Sequence, residues 1–335
     1  MWSVIGHEKA VALLDGARRL DHLAHAYLLA GPAAVGKKAL ALDLARAINC
    51  TGTEPPCGVC RSCVRISAGK HSDVRVISLK GDTKAEEGAS RKEISIDDIK
   101  QLQNDASLPP FEGRRKVFVI DGAEAMSAAA ANCLLKTLEE PPAAVILILL
   151  TAREDRLLPT VVSRCQRVEM LPLPPAVLEG LLQQRGMEPD RARLLACLSR
   201  GCPGWALTAA SDGAFQEQYS QQLDELLSVE QTGLENRFAL AARLAVRFAR
   251  QREKVEETLD LWVTWWRDVL LVKNGVHDLV SNVDRIEVLR RKAAGYPAEV
   301  IRDTIVHIRT ARKQLESNAN PRLALEVLML AIPAG

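Results

Sequence analysis

Short apolar runs separated by stretches of helical periodicity set the pattern of the first half of the chain. Ala26–Ala30, Asp73–Ser78, Lys116–Asp121 and Val145–Leu150 have the length and composition of buried strands. Between them, apolar positions recur three and four residues apart. They fall in 4–20 (Val11, Leu13, Leu14, Ala17), in 38–49, after Ser95 (Ile99, Leu102), and in 132–140, which Pro141 and Pro142 stop. These stretches read as helices. Ser95-Ile96-Asp97-Asp98 has the spacing of a helix-opening cap. Strands alternating with helices imply an α/β domain, a parallel sheet flanked by helices.

After residue 170 the pattern changes. Leu171-Pro172-Leu173-Pro174-Pro175 signals a linker, and 176–210 reads as a small helical segment. Within it, Gly201-Cys202-Pro203-Gly204-Trp205-Ala206 is a turn that opens a helix. From Ala214 on, amphipathic helices are expected at 218–227, 236–251, 255–273, 284–294 and 297–317. A last helix is capped by Asn320-Pro321 and ends near Ile332. Trp262, Trp265 and Trp266 recur at helical spacing, which favours packing in a core or between subunits over a stacking platform for single-stranded DNA. The polar stretch 80–92 reads as a mobile loop. Three domains are expected: an α/β base at 1–170, a helical lid at 171–212 and an all-α region at 213–335, reasonable for a chain of 335 residues.

Composition adds little to this picture, but it excludes some classes. Hydrophobic residues at 47% and charged residues at 26% are ordinary for a soluble globular protein. A formal charge of +2 is too small for a protein that coats nucleic acid, so any DNA contact needs a local patch. The start, Met1 to Glu8, lacks the basic end and apolar core of a secretory signal. The most apolar window, 143–150, is too short to span a bilayer. A cytoplasmic protein without membrane contact is the expectation.

The strand at 26–30 is followed by Gly31-Pro32-Ala33-Ala34-Val35-Gly36-Lys37 and then a helix, the setting that a G-x-x-x-x-G-K phosphate loop requires. Gly31 and Gly36 let backbone amides turn toward phosphates, and Lys37 reaches the outer ones. The next position departs from the motif. Lys38 stands where a Ser or Thr hydroxyl ligates Mg²⁺, and an ammonium cannot ligate a cation. Asp121 ends its strand at the carboxyl edge of the sheet, where ligands bind in such folds. Gly122 follows where a hydrolase often carries a water-activating Glu, and Glu124 lies two positions further on. Thr151, after the strand at 145–150, is the polar residue expected to face a γ-phosphate. Arg164, in Ser163-Arg164-Cys165, reads as a finger reaching into a neighbour's site, against the plainer reading of a surface ion pair.

Cys50, Cys57, Cys60 and Cys63 fall in one short segment broken by Gly52, Pro55, Pro56 and Gly58. Four thiolates complete the coordination number of a closed, structural Zn²⁺ site. Free thiols, a redox pair or an iron–sulfur cluster are the competing readings. His71, nearby, is not needed as a ligand.

These residues resemble the bacterial clamp loaders of the AAA+ class. The resemblance is carried by His25-Ala26-Tyr27-Leu28 before the phosphate loop and by the four-cysteine insertion. Asn132-Cys133-Leu134-Leu135-Lys136-Thr137-Leu138-Glu139-Glu140-Pro141-Pro142 and Ser163-Arg164-Cys165 add to it. So do Gly201 to Ala206 and the terminal Asn320-Pro321-Arg322-Leu323-Ala324-Leu325. In order, these pieces span nearly the whole chain.

The resemblance implies an AAA+ base with a built-in zinc module, a helical lid, and a helical collar that holds a ring of subunits together. It implies partners, namely gamma/tau and delta subunits, the sliding clamp and primed DNA. It also places Arg164 in the adjacent subunit's ATP site. Active members carry an arginine on the lid where this chain has Trp205. Lys38, Gly122 and Trp205 together imply a member that lends catalysis without performing it, although the loop could still hold ADP or ATP. The alternatives are a gamma/tau-type ATPase and a zinc-bearing DNA-binding module with a vestigial nucleotide fold.

Overall fold

Five parallel strands are hydrogen-bonded in the order β2-β3-β4-β1-β5 in the computed structural model, which describes residues 2–79, 93–213, 215–317 and 319–333. The stretch expected to be a mobile loop, 80–92, lies outside the described residues. The chain divides into two compact units, Met1–Val177 with Arg200–Trp205, and Leu178–Ser199 with Ala206–Gly335.

The first unit runs α1 (Glu8–Arg19), β1 (Ala26–Ala30), α2 (Lys37–Asn49), α3 (Arg61–Ser67), β2 (Val74–Ser78) and α4 (Ile96–Ser107). Then come β3 (Lys116–Asp121), α5 (Ala128–Glu139), β4 (Val145–Thr151), α6 (Pro159–Val162) and β5 (Gln166–Glu169). Because strand side chains alternate between faces, each strand feeds two cores. Tyr27, Leu29, Val117, Val119, Ile146 and Ile148 pack with Leu14, Leu40 and Leu44 of α1 and α2. Leu28, Phe118, Ile120, Leu147 and Leu149 pack with Ile99, Leu102, Leu134 and Leu138 of α4 and α5. A sheet covered on both faces needs strands that are apolar throughout. β4 is buried along its whole length.

Two expectations at the ends of elements change. The first helix starts at Glu8 rather than Val4, because buried Asp43 of α2 accepts hydrogen bonds from the Ser3 and Val4 N–H groups and holds that segment as a strap. Asp73, expected at the head of a strand, lies just before β2 and anchors a loop instead. The Ser95 cap is present as a reciprocal capping box with Asp98. β5 was not anticipated. Only Val168 of its four residues is buried, so the edge strand leaves no apolar pattern to read.

The second unit is helical: the end of α7 (Pro175–Gln184), then α8 (Pro189–Leu198), α9 (Pro203–Ser211, whose first turn belongs to the first unit), α10 (Phe215–Gln231) and α11 (Leu234–Arg250). They are followed by α12 (Arg252–Lys273), α13 (Ile286–Gly295), α14 (Ala298–Glu316) and α15 (Pro321–Ala331). Trp262, Trp265 and Trp266 of α12 are fully buried in one core with residues of α10, α11, α13, α14 and α15. An indole buries about 200 Å², worth an upper bound of roughly 5 kcal/mol at about 25 cal/mol per Å². The indoles are packing residues and offer no stacking surface. None of the described helices is long and apolar enough to cross a membrane.

Candidate functional site

β4 lies between β1 and β3, with Ala30 opposite Thr151 and Asp121 opposite Leu150. That register brings the phosphate loop, Asp121 and Thr151 to one edge of the sheet, where strand carboxyl ends create a ligand crevice. The Gly31 N–H donates to the Thr151 carbonyl, and a Cβ at Gly31 would fall on the Met170 carbonyl oxygen. Only glycine fits there. Gly36 takes a left-handed conformation as the N-cap of α2. His7 donates from Nε2 to the Val35 carbonyl at 2.9 Å, tying the N-terminal segment to the loop. From the other side, the Gly204 N–H at the start of α9 donates to the Ala34 carbonyl at 2.9 Å.

The charges of the site are turned inward. Lys37 donates from Nζ to the Gly31 and Pro32 carbonyls, both at 2.7 Å. Burial holds its pKa below the ordinary lysine value, against the opposing charges of Glu124 and Asp121. The Lys38 ammonium lies 3.2 Å from Asp121 Oδ2. The one carboxylate that a metal ion would need therefore already faces a cation of the chain itself. Thr151 is buried, and its hydroxyl oxygen accepts the Arg153 N–H at 3.1 Å.

Glu124 is the residue that sequence reasoning set aside. A single 3-10 turn, Ala123–Ala125, carries it back toward the site. Its Oε1 accepts the Ala152 N–H at 3.0 Å, and its buried Oε2 has no hydrogen-bond partner among the described residues. The signal was a spacing of three from Asp121, which a search for an adjacent Asp-Glu pair passes over.

Arg164 reaches back rather than outward. Nη2 pairs with Glu139 Oε1 at 2.7 Å and Nη1 donates to the Thr160 carbonyl at 2.9 Å, with about a third of the side chain exposed. Glu139 ends α5, so the Leu-Glu-Glu-Pro-Pro turn holds the arginine of the Ser-Arg-Cys segment. Burial pushes the neighbouring Cys165 thiol up to about 12, which leaves it unreactive at neutral pH.

The four cysteine Sγ atoms of Cys50, Cys57, Cys60 and Cys63 all lie within 4.8 Å of one another and can hold a metal ion. Tetrahedral Zn–S bonds of about 2.3 Å set the sulfurs roughly 3.8 Å apart. Cys50 and Cys60 are at 3.9 Å. The N–H groups of Gly52 and Cys57 point at Cys50 Sγ, that of Cys60 at Cys57 Sγ and that of Cys63 at Cys60 Sγ, each between 3.3 and 3.5 Å. Such donors favour thiolate, the form that binds metal. Burial opposes ionisation of Cys60, but the N–H groups of Cys63 and Thr51 outweigh it and bring the thiol down to about 5. His71 is buried and its Nδ1 accepts the Asp73 N–H, outside the thiolate cluster.

Comparison with known proteins adds the family. A model described as "DNA polymerase III, delta subunit" matches residues 6–174, and one described as its C-terminal part matches 217–333. The chain is 30% identical over 328 residues to DNA polymerase III subunit delta' of Bacillus subtilis (strain 168), covering 98% of this chain and 96% of that one. It is 35% identical over 195 residues to the subunit gamma/tau of Mycobacterium bovis (strain ATCC BAA-935 / AF2122/97), covering 56% of this chain and 32% of that one. Among solved structures, a DNA polymerase III gamma subunit-related protein from Thermotoga maritima matches with a TM-score of 0.48 and 20% identity, over 95% of this chain and 98% of that one.

Proposed function

The chain belongs to the DNA polymerase III delta-subunit family of clamp-loader proteins, and on that premise we propose that it is a delta-prime-type subunit that assists ATP hydrolysis without carrying it out. Its partners in this reading are gamma/tau and delta subunits, which together place the sliding clamp on primed DNA. The base at 1–170, lid at 171–212 and collar at 213–335 divide the labour.

One observation carries the reading: the Lys38 ammonium faces Asp121 at 3.2 Å. A divalent ion at Asp121 would have to displace that cation, and Lys38 offers no oxygen in its place. With Gly122 and Trp205 also departing from active members, hydrolysis loses its metal, its base and its nucleotide sensor. Gly31, Gly36, Lys37, Asp121 and Thr151 are the residues that would hold ADP or ATP in this reading. Cys50, Cys57, Cys60 and Cys63 hold a structural Zn²⁺ that fixes the module without entering the chemistry.

Arg164 supplies the missing contribution elsewhere. In its pair with Glu139 the two side chains are 35% and 50% exposed, and such pairs are worth roughly 0–1 kcal/mol. The guanidinium can therefore leave Glu139 at little cost and meet the γ-phosphate of a neighbour's nucleotide, where it stabilises charge that spreads in the transition state. Steady-state ATPase of the purified chain is expected at background, with or without primed DNA. The second reading, an ATPase in its own right, draws on Glu124, whose charge acts on Lys37 and whose Oε2 has no hydrogen-bond partner among the described residues. Robust DNA-stimulated turnover would establish that reading in place of ours.

A further inference from the structure

The cysteine module is fastened to a loop whose shape has no part in nucleotide or metal binding. Arg65 of α3 donates from Nη1 to Glu112 Oε2 at 2.6 Å, joining the module to the segment between α4 and β3. That segment is held amide by amide. Buried Asp73 accepts the N–H groups of Phe111, Glu112 and Gly113 at 2.8, 2.8 and 2.7 Å. Asn49, the residue before Cys50, accepts those of Arg114 and Arg115 at 2.8 and 3.1 Å. Two buried side chains thus satisfy five consecutive backbone donors. The fit is tight enough to require Gly113, where a Cβ would lie 2.6 Å from Asn49 Oδ1.

What this loop displays is apolar. Phe111 is 84% exposed, Leu108 60% and, next to Arg65 on α3, Val64 52%. A single exposed apolar residue means little. An aromatic ring held outward by a loop with no spare backbone donors is different, because the ordering cost that binding usually incurs has already been met.

The two segments joined by the Arg65–Glu112 pair also carry exposed cations. Arg61, Lys70 and Arg114 are exposed and make no ion pair among the described residues. Between Cys50 and Lys70 the only carboxylate is Glu54, and between Leu108 and Arg115 the only one is Glu112, which pairs with Arg65.

We propose that Phe111, Leu108 and Val64, with the exposed cations Arg61, Lys70 and Arg114 of the same two segments, form a preformed docking surface for an acidic protein segment that carries a large apolar anchor. The three cations select the charge of the partner, and the ring and aliphatic side chains accept its anchor. A nucleic acid suits this surface less well. The loop amides that could cradle phosphates are already used, and Leu108 and Val64 offer nothing for a base to stack on. The inference does not depend on the clamp-loader reading, since no residue of the nucleotide edge or Arg164 takes part.

Fluorescence anisotropy with the full chain tests it. The probes are a short labelled peptide of Asp and Glu containing one Phe-Leu pair, the same peptide with that pair changed to Ala-Ala, and a labelled oligo-dT. The Phe-Leu peptide should bind, the Ala-Ala peptide should bind at least about tenfold more weakly, and Phe111→Ala and Arg114→Glu should each weaken the first by about tenfold or more. Both substituted side chains are exposed, and unchanged thermal melting confirms that the variants fold. No binding by the Phe-Leu peptide, equal binding by the two peptides, or wild-type affinity in both variants overturns the proposal. Tighter binding of oligo-dT that depends on Phe111 and Arg114 overturns it in favour of a nucleic-acid surface.

Discussion

Asp73 and Glu124 show how a single carboxylate takes its role from the backbone around it. Glu124 was within reach of sequence reasoning, since its spacing from Asp121 is local; it was passed over because the expected acid directly follows the strand-ending Asp, whereas here a 3-10 turn carries the third residue back. Asp73 was out of reach, because its partners lie about forty residues away. Burial alone would raise the Asp73 carboxyl, but the N–H groups of Phe111, Glu112 and Gly113 overcome it and hold the group below its ordinary value of 3.8. A depressed folded-state pKa contributes stability that is complete above the unfolded value and is lost as pH falls through the folded one. Acidification should therefore release the 111–113 amides. Asp73→Asn, which keeps one acceptor oxygen without the charge, should exchange those amides faster at neutral pH and lose less further stability in acid. Equal exchange rates in the two proteins would contradict this account.

At the scale of elements, legibility follows the distance over which the signal acts. The four cysteines could be read directly, since count and spacing are local and the sulfurs do converge. The Ser95 capping box and the Asn320 cap were legible for the same reason. Helix α3, which begins inside the cysteine cluster, was not, because seven residues give periodicity too little length to register. Its Arg65–Glu112 link, spanning 47 residues, could only be seen in the fold. If metal holds this module together, chelation under reducing conditions should speed amide exchange across 50–67. Through Asn49 and Arg65 it should also do so in 111–115, while α12 and its buried tryptophans keep their protection. Freshly purified protein that contains no zinc, or chelation that leaves both segments protected, would contradict the metal role.

For the whole molecule, the alternation of strands and helices, the parallel sheet and the helical second half were all evident from periodicity. Long amphipathic stretches state their own type, and the G-x-x-x-x-G-K loop fixed which strand edge matters. Spacing could not reveal where the charges of the site would turn. Lys38 was recognised as unable to bind Mg²⁺, but that it would face Asp121 is a property of the assembled edge. Arg164 was read as a finger, and its contact with Glu139 joins the two motifs that carried the family resemblance. The central claim is that a chain with a self-neutralised nucleotide edge lends its arginine to a neighbour. The most direct measurement is ATP hydrolysis by a loader reconstituted from gamma/tau, delta and this chain, with and without Arg164→Ala. Hydrolysis should fall by about a thousandfold at the site the arginine completes, with assembly intact; an unchanged rate in a correctly assembled complex would contradict the account.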